Sequence, residues 1–558
     1  VAKIDKPTIT PIEVDPARFS KFGAQIAAMK APALEPEWLA AGKHYVRQAL
    51  PAGDMIAVAN KRNDLFSIRY EFNRGYKRDR LLCHALDLLE MSGAGEQSAE
   101  AFKKQLFALG SSIDFSCGAN TSTIEVSGID ANLEATLTLL DTWMRQPKLE
   151  AETLRKLGDI TLGNRKDAME DPDTLWMVLG EYVKHDKTSQ YLQAPTNSQI
   201  TAAKIEPLGK LLTGFLDHQH KTLYFGPRAA ADAAKVVAIG KAHKKLSRRP
   251  PEVYRKSKGT SIYFVHREVA KSYVSVAIPH GTEDRAKKPT AQLFNTYLNG
   301  GMNALLFQEL REARGLVYFA YGAVSQGRYP DDPWALTGGM GTQVDKTPDA
   351  LKTFVELVRD RPLDAGRIAV ARTTMDQDFR SSRIDPRESV YWIDAWDDAG
   401  EASDPRPWYW EQVLALPEDQ LRSFASSFAS KPVIVGIIGD RSRVDMAALQ
   451  KYGTVIELKP EQLFSYGAFP KTKAAPEDKA DKPAPAAAPA AAPAAKAAPA
   501  AAPAAAPAAK AAPAATPAPA ATAAPAATAA PAATAAPAAK AATPAPAATA
   551  APAATPAR

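Results

Sequence analysis

From Met55 onward the apolar residues of the chain fall into two alternating rhythms. In "MIAVAN" and "FSIRYEF" they cluster or alternate as strands require, whereas in "RDRLLCHALDLLEMS" and "AEAFKKQLFALG" they recur every three or four positions, putting Phe102, Leu106 and Leu109 on one helix face. After Gly110, "SSIDFSCG" and "TSTIEVSGI" predict a strand pair, followed by the helix "NLEATLTLLDTWMRQ" and further helices to about Leu216. The same order then returns: strands in "SIYFVHRE" and "SYVSVAIPHG", helices in "TAQLFNTYLNGG" and "MNALLFQELREARG", a strand pair in "LVYFAYGAVSQ" and "WALTGGMGTQ", and a helix in "DALKTFVELVRD". Self-similarity at a period of roughly two hundred residues implies duplication.

The predicted fold is therefore α+β: two homologous α/β sandwich domains, each an antiparallel-rich sheet with helices packed on one face, plus a disordered Ala/Pro-rich tail. Residues 1–44 are Pro-rich and read as a leader or linker, residues 45–240 as the first domain and residues 260–466 as the second. Between them, the basic, Pro-containing stretch 241–259 reads as a solvated connector.

Composition changes this picture at the C-terminal end. Residues 467–558 are dominated by Ala and Pro, offer almost no large apolar side chain to bury, and are expected to stay extended, as a spacer or an entropic linker. From Lys471 onward the chain holds eight Lys/Arg against three Asp/Glu, so most of the formal charge of +7 belongs to the tail. The folded part is close to neutral, which argues against nucleic acid as a partner. No apolar run of about eighteen residues occurs, so no membrane span is expected. The first residue is Val1, which suggests removal of a signal peptide or of an upstream segment. Cys83 and Cys117 lie in no CxxC or Cys/His pattern and are expected to be small core residues.

The most specific stretch is "NGGMNALLFQELREARGLVYFAYG", Asn299 to Gly322. It resembles the second-domain signature of the pitrilysin/insulysin-like metallopeptidases, in which a Gly-Gly turn, a helix ending in Leu-Arg-Glu and a Gly-Leu-x-Tyr strand follow one another. The resemblance extends over roughly residues 45–465. In that family an Arg and a Tyr at this spacing contact the substrate backbone near the scissile bond, which implies Arg311 and Tyr318 here, with Tyr321 a further substrate-binding candidate. An arginine fork and a directed tyrosine hydroxyl suit a peptide carbonyl or a developing oxyanion. The alternative for this pair is local: Arg311 capping a helix C-terminus and Tyr318 packing in a sheet.

The resemblance also implies where zinc would sit. An inverted HxxEH motif needs two His on one helix face with a Glu between them, and a further carboxylate downstream. Aligned on Gly93, the motif falls on His84, Asp87 and Leu88, and the downstream ligand on Asn164 or Arg165. Leu88 has no donor atom, and no carboxylate aligns downstream. Zinc in this chain is therefore not expected, and His84 is read as a helix residue bonded to a backbone carbonyl. His218 and His220 in "DHQH" are weak metal candidates, and His280 a turn residue.

The resemblance thus implies the non-zinc half of a two-part peptidase, inactive alone and without a cofactor of its own. Its partner would be a homologous HxxEH-bearing subunit carrying the zinc, forming a heterodimer, or an upstream half of the same precursor. The substrate would be an oligopeptide or unfolded polypeptide bound extended. A purely structural subunit of a processing or respiratory complex is the alternative. Apparent N-terminal processing and the tail favour a bacterial periplasm over the cytoplasm.

Overall fold

Two six-stranded sheets organise the computed structural model, which describes residues 20–30, 34–240, 244–282, 284–360 and 362–470. The expected Ala/Pro tail lies almost wholly outside these residues, as do residues 1–19 of the leader. The first sheet uses β1 (Val46–Leu50), β2 (Gly53–Ala59), β3 (Leu65–Phe72), β4 (Ser112–Cys117), β5 (Ser122–Ile129) and β6 (Lys221–Gly226), in the order β1-β2-β6-β3-β5-β4. The second uses β7 (Ser261–His266), β8 (Lys271–Thr282), β9 (Val317–Ser325), β10 (Pro333–Gln343), β11 (Ile434–Gly439) and β12 (Thr454–Leu458), in the order β12-β7-β11-β8-β10-β9.

Position by position the two orders correspond (β2 with β7, β6 with β11, β3 with β8, β5 with β10, β4 with β9), so the duplication seen in the sequence is a duplication of topology. In both, one strand pair next to the edge is parallel (β2 with β6, β7 with β11) and the hairpin side is antiparallel. The difference lies at the far edge, where β1 is antiparallel to β2 but β12 is parallel to β7.

Helices of each half cover one face of their own sheet. In the first half, α1 (Leu82–Glu90), α2 (Leu133–Arg145) and α3 (Ala151–Glu170) contribute Leu86, Leu88, Leu140 and Leu157 to a core with Ile68, Tyr70 and Val126. The opposite faces are covered reciprocally. From the first half, α4 (Pro172–His185) buries Leu175, Val178, Leu179 and Val183 against Tyr263, Val265, Ile434 and Ile438 of the second sheet. From the second half, α5 (Pro386–Asp398) buries Val390, Ile393 and Trp396 against Ile56, Val58, Leu223 and Phe225 of the first.

The strand period of two explains this exchange: Met55 and Ala57 point to one face while Ile56 and Val58 point to the other, and both faces need cover. Strands buried on both sides read as continuous apolar runs, as "MIAVA" does. The sequence reading put helices on one face only. A helix that serves the other half's sheet carries no local mark of that destination.

Two expectations are corrected here. Cys83, in α1, and Cys117, ending β4, are not separate core residues; they form a disulfide with Cα atoms 5.2 Å apart, tying the helix to the edge strand. Their separation of 34 residues conceals the approach in the sequence. The basic connector is not a solvated run either. Arg249 pairs with Asp332 at 2.6 Å, and the Arg255 guanidinium lies 4.5 and 4.4 Å from the Tyr182 and Tyr263 rings. The described end of the leader is also strapped down: the Leu39 amide donates to Asp404 at 2.8 Å, and the Trp38 ring packs against Phe379 and Trp410.

Candidate functional site

The strand order places β9 at a free edge of the second sheet. The approach to it is a π-helical turn, Phe307–Glu312, closed by Gly315 at φ 55°, a backbone conformation that favours glycine. Pairing of β9 with β10 is broken once: Val317 faces Thr342 and Phe319 faces Gly341, so Tyr318 is the extra residue of a β-bulge. Bulges re-aim a side chain out of the pleat. Tyr318 is 56% exposed, and among the described residues its hydroxyl has no hydrogen-bond partner.

Arg311 has only local partners. Its side chain is 52% exposed, its guanidinium stands 5.0 Å from the Phe307 ring, and its nearest carboxylate, Glu312, is 3.7 Å away. Arg314, the competing arginine, is engaged with Glu309. Tyr321 is the other exposed residue of the strand; partial burial of its ring raises its hydroxyl above the ordinary phenol range. A Cβ on Gly339, opposite Tyr321, would lie 2.8 Å from both the Tyr321 and Trp176 rings, so that glycine makes room for aromatic packing within β10 rather than for a turn.

The degenerate zinc positions lie in the first half, on α1 and α3. Leu88 is fully buried in the core. His84 is 3% exposed, and neither ring nitrogen has a hydrogen-bond partner, which corrects the expected bond to a backbone carbonyl. Burial, and then the positive charge of Arg165, push its pKa down to about 4. Asp87 reaches solvent but is enclosed by protein on most sides, and this enclosure, with Glu90 nearby, pushes its carboxyl up to about 7.

Of the two downstream candidates, Asn164 is exposed, while Arg165 is the one whose charge acts on His84. Arg165 donates to Asn197 Oδ1 at 2.8 Å, and its guanidinium stands 4.5 Å from the Tyr466 ring. One imidazole, a leucine and a guanidinium do not fit zinc: two ligands are missing, and a cation stands where an anionic one is needed.

The other histidines are accounted for locally. His218 and His220 bond through Nδ1 to the Phe215 and His218 carbonyl oxygens, and His280, inside β8 rather than in a turn, bonds Ser427 Oγ at 2.8 Å. Glu71, Asp394 and Asp398 bring three carboxylates together where α5 meets the first sheet. Lys221 bonds both aspartates, at 2.7 and 2.6 Å, and Arg328 pairs with Glu71 and Asp398, so this cluster is an internal ion-pair network.

Residues 229–373 match the family model described as Peptidase M16 inactive domain. No curated protein matches. Among solved structures, a peptidase M16 inactive domain from Pseudomonas fluorescens is similar at 15% identity and TM-score 0.59, over 71% of this chain and 98% of that one. A protease from Helicobacter pylori is similar at 13% and 0.55, over 73% and 100%. The periplasmic protease PqqL from Escherichia coli is similar at 11% and 0.54, over 78% of this chain and 49% of that one. At these identities the likeness to the solved structures is one of fold.

Proposed function

We propose that this chain, whose residues 229–373 match the Peptidase M16 inactive domain, acts as the substrate-holding half of a two-part zinc peptidase. The observation that carries the reading is Tyr318, exposed and turned out of a free edge strand by a bulge, with the half-exposed Arg311, held only by Glu312 and the Phe307 ring, on the turn that leads into that strand.

An extended peptide gains backbone hydrogen bonds by lying along a sheet edge. In that position Arg311 would grip a carbonyl through its N–H fork, and Tyr318 would donate its hydroxyl to oxygen charge developing at the scissile carbonyl. The partner would be a homologous chain or segment that carries HxxEH and the metal, since the positions in this chain do not fit one.

A disulfide and the fold likeness to a periplasmic protease support a periplasmic setting, where disulfides persist. The test is reconstitution with an HxxEH-bearing homologue from the same organism. Cleavage of an internally quenched peptide should require both chains, should fall about a hundredfold with Tyr318→Phe, the scale on which oxyanion donors act, and should also fall with Arg311→Ala. A structural subunit would leave cleavage unchanged in both Arg311→Ala and Tyr318→Phe.

A further inference from the structure

Large apolar side chains that meet solvent singly are ordinary, but three on one face of one helix are not. The helix Lys21–Ala28 of the leader carries such a face. Phe22 is 70% exposed, Ile26, four positions on, is 52% exposed, and Met29, three further, is 69% exposed. That spacing lines the three side chains along one side of the helix. None of them belongs to an apolar cluster of the described residues.

The helix has a start signal of its own: Ser20 accepts from the Gly23 amide at 2.9 Å. Eight residues are nevertheless too few to hold a helix in water unaided, and short helices persist in proteins because an apolar face is covered. Here that face is turned outward.

The charges around it point to the kind of surface that covers it. Between Asp15 and Glu35 the chain has no acidic residue, and it carries Arg18, Lys21 and Lys30. Lys21 opens the helix and Lys30 follows its C-cap, both exposed, so the apolar face has a cation at each end. An acid in the first turn would favour the helix, and this one has none. Beyond Lys21, the only polar side chain of the helix is Gln25, which leaves little by which a protein groove would fix its register. A lipid surface needs no such register: it takes an apolar face flanked by lysines whose stems lie along the hydrocarbon and whose ammonium groups reach the phosphates.

We propose that Lys21–Ala28 is a peripheral anchor that lies in the headgroup layer of an anionic membrane, with Phe22, Ile26 and Met29 inserted and Lys21 and Lys30 on lipid phosphates. It is a contact with a surface; no described helix is long and apolar enough to cross a membrane. The anchor does not depend on the roles of Arg311 and Tyr318.

The experiment is co-sedimentation of the full chain, at low salt, with vesicles of phosphatidylcholine alone and of phosphatidylcholine mixed in equal parts with phosphatidylglycerol. Partition onto the mixed vesicles should be at least about tenfold stronger, and added salt should weaken it. Lys21→Gln and Lys30→Gln should each lower it about fivefold. Phe22→Ser/Ile26→Ser, at positions that no described core uses, should lower it at least about tenfold. Phe107→Ser, the loss of an exposed ring elsewhere in the chain, should leave it unchanged. The basic tail is intact in every variant, so binding that survives Phe22→Ser/Ile26→Ser undiminished would overturn the proposal. No binding to either vesicle, equal binding to both, or a dimer in sedimentation velocity that Phe22→Ser/Ile26→Ser dissolves would overturn it as well.

Discussion

Arg165 of the first half and Tyr466 of the second stand 4.5 Å apart, guanidinium to ring centre, so the last described segment of the chain closes against the helix that would carry the third metal ligand. This contact makes the loss of the zinc site more than a missing histidine. Leu88→His would restore a second imidazole, but it would place a polar ring in a fully buried position, with no downstream carboxylate to complete the site. The expected outcome is no stoichiometric zinc in equilibrium dialysis of the Leu88→His chain, with a loss of stability of about 2–5 kcal/mol from the disturbed core.

The Cys83–Cys117 bond closes a loop between α1 and β4. For a loop of this length the chain-entropy estimate is about 3–4 kcal/mol. Denaturant unfolding of the Cys83→Ala/Cys117→Ala chain should show that loss, and reduction of the unaltered chain should reproduce it. A midpoint unmoved by reductant would contradict the bond.

The exchanged helices make the two sheets dependent on one another. Trp396→Ala removes a large side chain from the first sheet's outer face and should cost about 3–5 kcal/mol; Leu179→Ala does the same to the second sheet and should cost about 2–5 kcal/mol. Because each cover belongs to the other half, both variants should still unfold in one transition seen by all probes. Two separated transitions in calorimetry would show that the halves are independent.

Burial pushes His84, His220 and His280 down to a pKa of about 4, below the ordinary histidine value of about 6.5. The unfolded chain then takes up protons first as pH falls. Stability from these groups is complete above about pH 6.5 and is lost progressively toward pH 4. For His84 and His220, which are nearly inaccessible, the loss is at most about 3 kcal/mol each. Melting temperatures across this window should fall with acid, and His84→Leu should flatten the curve. Asp87, held at about 7, acts in the opposite sense and should partly offset the fall.

Much of this architecture is legible in the sequence because its cause is local. Alternation in "FSIRYEF" and the three-four rhythm of "LLCHALDLLE" state which face is buried, and their recurrence states the duplication. Arg311, Tyr318 and Leu88 are singled out by the resemblance to the pitrilysin/insulysin-like peptidases, and Leu88 then stands out by the absence of a donor atom. What remained hidden depends on pairs distant in the chain: Cys83 with Cys117, α4 on the second sheet, α5 on the first, and Arg249 with Asp332. The β-bulge that frees Tyr318 is also invisible, since it is a mismatch of register between β9 and β10. Arg165 could have been separated from Asn164 only by knowing which side of α3 faces α1.

The central claim is that this chain holds peptide for chemistry performed elsewhere. It is tested most directly by hydrolysis of a quenched peptide with the purified chain alone, with an HxxEH-bearing homologue alone, and with both, each repeated with the Arg311→Ala/Tyr318→Phe chain. The account predicts turnover only in the mixture, lowered at least about a hundredfold by the double substitution while the complex still assembles. Turnover by this chain alone, or a mixture indifferent to the loss of both side chains, would contradict it.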